Sequence, residues 1–154
     1  MAKFDDSLVA VTSRSFSTNQ FLVKKLKESY PNVSLNLTGK TLKDNELVKF
    51  LANADKAIVG IEIIDKDILD QLPKLKLISK YGVGLNNLDL DECKKRNIQI
   101  KFQPGSNKQS VAEFTLLLML NSLRQVHNNK TEIIEGNWTQ AKGQELKGLS
   151  LIHI

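Results

Sequence analysis

The sequence predicts an α/β fold built on a five-stranded, all-parallel sheet with helices flanking it on both faces. Three observations carry that expectation. Through the first hundred residues, short aliphatic or β-branched runs alternate with longer amphipathic stretches. The runs at Leu8–Thr12 and Ala57–Gly60 carry no charge, as strands covered on both faces require. The repeated strand-then-helix order implies right-handed crossovers between parallel neighbours.

Leu8-Val9-Ala10-Val11-Thr12 reads as the first strand, and Ser17 or Thr18 as the cap of the helix that follows. Phe21, Leu22 and Leu26 fall at helical spacing, and Tyr30-Pro31-Asn32 ends that helix. Val33 to Leu37 alternates apolar and polar residues as a strand does. Leu42 to Leu51 is helical again, with Leu47, Val48 and Leu51 on one face. A third strand spans Ala57 to Gly60, and a short helix runs from Asp65 to Gln71, stopped by Leu72-Pro73. Leu75 to Ser79 is the fourth strand, Asp89 to Lys95 a helix, and Ile98 to Ile100 the last strand. Five strands in this order make a flavodoxin-like domain over residues 1–103.

The character changes after Gln103-Pro104-Gly105. A long helix is expected to open at Ser106-Asn107, or at the capping box formed by Ser110 and Glu113, and to run to about Asn128. Its apolar residues, among them Val111, Phe114, Leu117 and Leu120, cover most of its circumference, so it needs cover on several sides. A second helix is expected from Lys130 to Glu135, ended by Gly136, with Trp138 anchoring a loop through Gly143 and plugging an interdomain or loop-core gap. Residues 104–148 thus read as interdomain helices.

Composition narrows the function. Hydrophobic residues make up 41% of the 154 and charged residues 25%, as in a soluble globular protein. No apolar run approaches the roughly 20 residues of a membrane span, and Met1–Asp6 lacks the apolar core of a secretory signal. The single cysteine, Cys93, points to a reducing cytoplasm. Beside Lys94, Lys95 and Arg96 it could have a mildly lowered pKa or could be an inert buried thiol. Two histidines and one cysteine leave too few soft ligands for a structural zinc site. The net charge of +5 comes from scattered residues, all but three of them Lys. They lack the Arg and aromatic interleaving of a nucleic-acid surface, so neither nucleic acid nor membrane is an expected partner.

The segment best suited to chemistry is Tyr81-Gly82-Val83-Gly84-Leu85-Asn86-Asn87-Leu88-Asp89, between a strand and a helix capped by Asp89. Two glycines there open backbone angles closed to other residues, and Asn86 or Asn87 tolerates the left-handed region. Successive N–H groups can then converge into a concavity for an anion, at the carboxyl edge of the sheet where open α/β sheets bind ligands. Asn87 stands where a dinucleotide fingerprint would need its third glycine. On pattern alone, an anion cradle and a plain reverse turn remain equally open.

Longer matches add a resemblance. Residues 75–89, from Leu75-Lys76-Leu77-Ile78 through Gly82-Val83-Gly84 to Asn87-Leu88-Asp89, resemble the substrate-domain loop of the D-isomer-specific 2-hydroxyacid dehydrogenases, with the phosphoglycerate dehydrogenase branch nearest. Pro104-Gly105-Ser106-Asn107 followed by Ser110-Val111-Ala112-Glu113 is similar to that family's interdomain signature. Gly136-Asn137-Trp138, Glu145-Leu146-Lys147-Gly148 and Ile61-Glu62 fit it as well. The resemblance implies hydride transfer between a 2-hydroxy acid and NAD or NADP. It places the substrate carboxylate on the backbone of Gly82, Val83 and Gly84, with Val83 also near the nicotinamide. It further implies a polar contact from Asn107 and cofactor-side packing from Lys108 and Val111. Asn86 stands where relatives commonly carry Asp. Lys80 and Tyr81 could tune substrate choice or be simple surface residues.

The family's Gly-rich cofactor fingerprint and its catalytic Arg, Glu and His have no counterpart here, so no catalytic residue is assigned. His127 reads as a charge at a helix end, and His153 has no carboxylate to orient it. The expectation is an N-terminal fragment of such an enzyme, without its second, Rossmann domain. Its parent is expected to be a homodimer, and the fragment itself to be inactive and to bind no cofactor tightly. Residues 149–154 (Leu149-Ser150-Leu151-Ile152-His153-Ile154) read like a translated sequencing-adapter scar. A rival is a stand-alone regulatory module that binds small carboxylates. A phospho-receiver lacks support, because Asp5-Asp6 precede the first strand and Ser13-Arg14-Ser15 follow it.

Overall fold

A computed structural model describes residues 5–139 and 141–150, and the chain divides into two compact units, Met1–Ser106 and Asn107–Ile154. The first contains β1 (Val9–Val11), β2 (Val33–Leu35), β3 (Lys56–Val59), β4 (Leu77–Lys80) and β5 (Gln99–Lys101). All pairings are parallel, in the order β2-β1-β3-β4-β5. This is the flavodoxin-like order, whose strand carboxyl ends form one edge. Val9, Ala10 and Val11 are all buried, as a central strand with both faces covered must be.

Helices α1 (Arg14–Ser17), α2 (Gln20–Ser29), α3 (Asp44–Leu51), α4 (Lys66–Asp70) and α5 (Leu90–Lys95) flank the sheet. The caps near the first crossover differ from the expectation of Ser17 or Thr18. Ser13 accepts from the Phe16 N–H to start α1, and Asn19 accepts from the Leu22 N–H to start α2. Two short-armed caps let the chain turn twice where the sequence suggested one helix. Asp65 and Asp89 cap α4 and α5 in the same way. The core joins Leu47 and Leu51 of α3, Ile68 and Leu69 of α4 and Cys93 of α5 to Val59 and Ile78 of the sheet. Cys93 is fully buried, and that burial pushes its thiol pKa up, so the thiol is inert rather than activated.

Three carboxyl groups tie elements together and sit below their ordinary pKa. The Lys56 ammonium, 2.5 Å from Asp5, holds Asp5 well below its usual 3.8. Lys66, then Arg96, lowers Asp70, and Lys95, then Arg96, lowers Glu92. Arg96 also donates to the carbonyl of Leu69, so it links α4 to α5. A depressed carboxyl stabilises the fold above its unfolded value and loses that contribution as pH falls through the folded one. The melting temperature should therefore fall as pH drops below about 4.5, the ordinary value of Glu. Thermal melts between neutral and acidic pH, with Arg96→Gln flattening the decline, would check this. A melt indifferent to acid would contradict it.

The second unit holds α6 (Lys108–Leu123) and α7 (Val126–Ile134). Helix α6 opens directly after Asn107, and Ser110 lies inside it, so the alternative opening at a Ser110 capping box is not used. Gln109 reaches Glu113 instead, at 2.8 Å. The break falls at Arg124-Gln125, not after Asn128. Gln125 adopts a left-handed conformation, and its side chain donates to the Lys142 carbonyl at 2.9 Å. The Gln144 N–H caps the Leu123 carbonyl. His127 consequently lies at the start of α7 rather than at a helix end, and His153 lies outside the described residues. Trp138 is 91% exposed, so it plugs no loop-core gap within its own unit. Phe114, Leu117 and Leu118 are each at least half exposed on α6. Of the residues read as a scar, 151–154 lie outside the described residues.

Candidate functional site

The carboxyl ends of β1, β3 and β4 converge at one edge of the sheet. A cleft of about 440 Å³ opens there, lined among others by Ser13, Arg14, Gly60, Glu62 and Tyr81. The loop 81–89 leaves β4 beside it. The Tyr81 N–H donates to the Val59 carbonyl, and the Tyr81 ring meets Phe16 edge-on at 5.3 Å. At the far end Leu88 pairs with Ile64, and Asn87 and Asp89 exchange backbone hydrogen bonds with Ile64 at 2.8 and 2.9 Å. The loop is pinned at both ends.

Between the pins, Leu85 packs on the core and its carbonyl accepts from the Leu88 N–H at 3.0 Å, while the stretch before it is open. Among the described residues, the N–H groups of Gly82, Val83 and Gly84 donate to no protein acceptor. Unpaired successive N–H groups at the rim of a cleft attract an anion, and water satisfies them otherwise. Gly82 has a φ of +142°, which L side chains rarely adopt, so glycine is needed there. Gly84 has no such need. Asn86 and Asn87 do not take the left-handed conformation expected of one of them. The reversal is achieved by Gly82 together with side-chain hydrogen bonds.

Those bonds form a network that the sequence reading missed. The Asn87 amide donates to the carbonyls of Glu62 at 2.5 Å and Gly60 at 3.3 Å. Its oxygen accepts from the Lys80 ammonium at 2.7 Å, and Lys80 also donates to the Gly60 carbonyl. Glu62 is buried, and its carboxyl accepts from the Thr12 hydroxyl and the Gly60 N–H, both at 2.8 Å. Gly60 is glycine because the strand exits approach closely: a Cβ there would lie 3.2 Å from that of Ser13. Burial lowers the Lys80 pKa, and the charge on Glu62 partly offsets this. The signal available in the sequence was a lone acidic residue inside the apolar run Gly60–Ile64.

Asn107, Lys108 and Val111 lie in the second unit. Asn107 is the residue before α6 and makes no side-chain cap bond, Lys108 begins the helix, and Val111 is about half exposed one turn on. Among the described residues, no group of three His, Cys, Asp or Glu could hold a metal ion, and no helix is long and apolar enough to cross a membrane.

Comparison with known proteins bears on the family and the fold. The hydroxypyruvate reductase of Thermotoga maritima is 32% identical over 120 residues, covering 76% of this chain and 39% of the relative. The D-3-phosphoglycerate dehydrogenase of Methanocaldococcus jannaschii is 32% identical over 114 residues, covering 71% and 22%. The chain therefore spans about two fifths or less of these relatives. In fold, it is similar to the crystal structure of D-lactate dehydrogenase from Aquifex aeolicus complexed with NAD and lactic acid. That match has a TM-score of 0.71 at 23% identity, over 90% of this chain and 41% of the other. Residues 9–149 match the D-isomer specific 2-hydroxyacid dehydrogenase catalytic domain, and the chain belongs to that family.

Proposed function

We propose that this chain supplies the substrate-binding part of a cytoplasmic NAD- or NADP-dependent 2-hydroxyacid dehydrogenase, with residues 1–103 as the substrate domain and 104–148 as helices leading into a cofactor domain. The observation that carries the reading is the row of unpaired N–H groups on Gly82, Val83 and Gly84 beside the cleft. Such groups bind a carboxylate without proton exchange, fix its orientation and leave the carbinol carbon free to react. In this reading Asn107 adds a polar contact to the substrate, while Val83, Lys108 and Val111 lie on the cofactor side.

The described residues do not fit the dinucleotide as a whole. The 82–87 loop ends in Asn87 where a pyrophosphate cradle needs glycine, and the Asn87 side chain is occupied in bridging Glu62, Gly60 and Lys80. That loop suits a small carboxylate. In this reading the hydride carrier and the acid–base residues belong to other parts of the parent enzyme, a homodimer. The exposed apolar residues of α6 are consistent with a helix made to be covered.

Amide NMR of the chain titrated with glycolate and pyruvate tests this. Saturable shifts at Gly82, Val83 and Gly84 are expected, with no NADH consumption when glyoxylate or hydroxypyruvate is added. Shifts elsewhere, or none, would sink the carboxylate site. NADH turnover by the chain alone would sink the assignment of hydride transfer to other parts. The phosphoglycerate dehydrogenase-like branch is the finer placement we favour, on the residues 75–89 and the Methanocaldococcus relative.

A further inference from the structure

Lys80 is the unusual group at this edge of the sheet. It is half buried and takes part in no salt bridge among the described residues. Its ammonium is held by two neutral oxygens, the Gly60 carbonyl and the Asn87 amide. Among the described residues, the one carboxyl group whose charge reaches it, Glu62, is already engaged by Thr12 and the Gly60 N–H. The stem of Lys80 runs close to the loop: a Cβ placed on Gly82 would lie 3.5 Å from Lys80 Cε. A half-desolvated cation is costly to keep unless something nearby uses its field. The free N–H groups of residues 82–84 offer an anion only partial charges, so a full positive charge next to them supplies what they lack.

We propose that Lys80 is a positioning residue for the anion on the Gly82–Gly84 backbone, its fixed ammonium selecting a charged carboxylate over a neutral amide of the same shape. Asn87 acts on the ammonium, not on the ligand: its two-sided amide ties Lys80 to the β3 exit and keeps the charge near Gly82. The inference rests on the carboxylate reading of the loop given above. It adds that affinity depends on a side-chain charge as well as on the backbone.

The test compares glycolate, an anion, with glycolamide, its neutral analogue, by NMR titration of the full chain. Wild type should bind glycolate in preference to glycolamide at Val83 and Gly84. Lys80→Met should weaken glycolate roughly tenfold while leaving glycolamide unchanged. Lys80→Arg should restore most of the loss, and Lys80→Gln provides a second neutral variant should Lys80→Met not fold. A purely structural role would weaken both probes alike in the neutral variants. That outcome, or undiminished glycolate binding in them, overturns the inference and leaves the carboxylate site standing. No response of the wild-type loop to glycolate overturns both.

Discussion

Glu62→Ala should destabilise the first unit by about 2 kcal/mol, the scale expected when one buried backbone donor loses its acceptor and a buried hydroxyl keeps only its longer bond. Glu62 is 2% exposed, and one of its oxygens receives both the Thr12 hydroxyl and the Gly60 N–H. Thr12 is fully buried and its hydroxyl also reaches the Ile58 carbonyl at 3.3 Å, and Gly60 is buried beside it. Truncation therefore leaves the Gly60 N–H unpaired, leaves the Thr12 hydroxyl only its longer bond to the Ile58 carbonyl at 3.3 Å, and opens a void at the junction of the β1 and β3 exits. Glu62→Gln keeps an oxygen in place and should cost about 1 kcal/mol, a typical net hydrogen bond. Urea unfolding followed by circular dichroism gives the comparison through the midpoint shift. Equal midpoints for wild type and Glu62→Ala would show that the carboxyl holds nothing together. The loss should also reach the loop, because the Glu62 backbone carbonyl is the closest partner of Asn87.

The same residue shows where the sequence is silent. Alternation along Gly60–Ile64 would bury isoleucines and expose the glutamate. The structure does the opposite: Ile61 and Ile63 are about two thirds exposed, while Glu62 and Ile64 are buried. The register is set by the parallel bridge from Ile64 to Leu88 and the Asn87 clamp, both more than 20 residues away in sequence. Local pattern carries no information about such partners. The strands themselves were legible because their burial follows from their own aliphatic runs, and the cap Asp89 because capping is local; Asp65, read as the first helical residue, is the cap of α4. The glycine loop was legible as an anion candidate. Its mechanism was not, since only Gly82 needs the unusual backbone and Asn87 acts through its side chain.

The α6–α7 break follows the same rule. Nothing at Arg124-Gln125 resembles a glycine terminator. The helix stops there because residues 142–144 return to it, with Gln144 capping Leu123 and Lys142 accepting from Gln125. Gly143 permits the approach, since a Cβ there would lie 2.9 Å from the Leu123 carbonyl oxygen. A left-handed glutamine is tolerable when a tertiary hydrogen bond compensates it.

Gly82→Ala should abolish most glycolate binding, by at least about tenfold, while costing the fold little. The strain of an alanine at φ +142° is of order 1–3 kcal/mol. It arises from the backbone and not from crowding, because the nearest atom to the new methyl is Lys80 Cε at 3.5 Å. Residues 82–84 are not buried and their N–H groups hold no protein acceptor among the described residues, so this stretch relieves that strain by turning its peptide planes while Leu85 stays packed on the core. Turning them redirects the Val83 and Gly84 N–H groups, and a carboxylate that needs both loses its seat. Gly84→Ala is the matched control. Gly84 has ordinary φ, and its Cβ would meet only the movable Asn86 amide oxygen at 3.3 Å. It should keep most of the wild-type affinity. Titrating both variants with glycolate, alongside their thermal melts, separates backbone direction from added bulk. If Gly82→Ala binds as tightly as Gly84→Ala, the unusual backbone at Gly82 serves chain reversal alone and the cradle lies elsewhere.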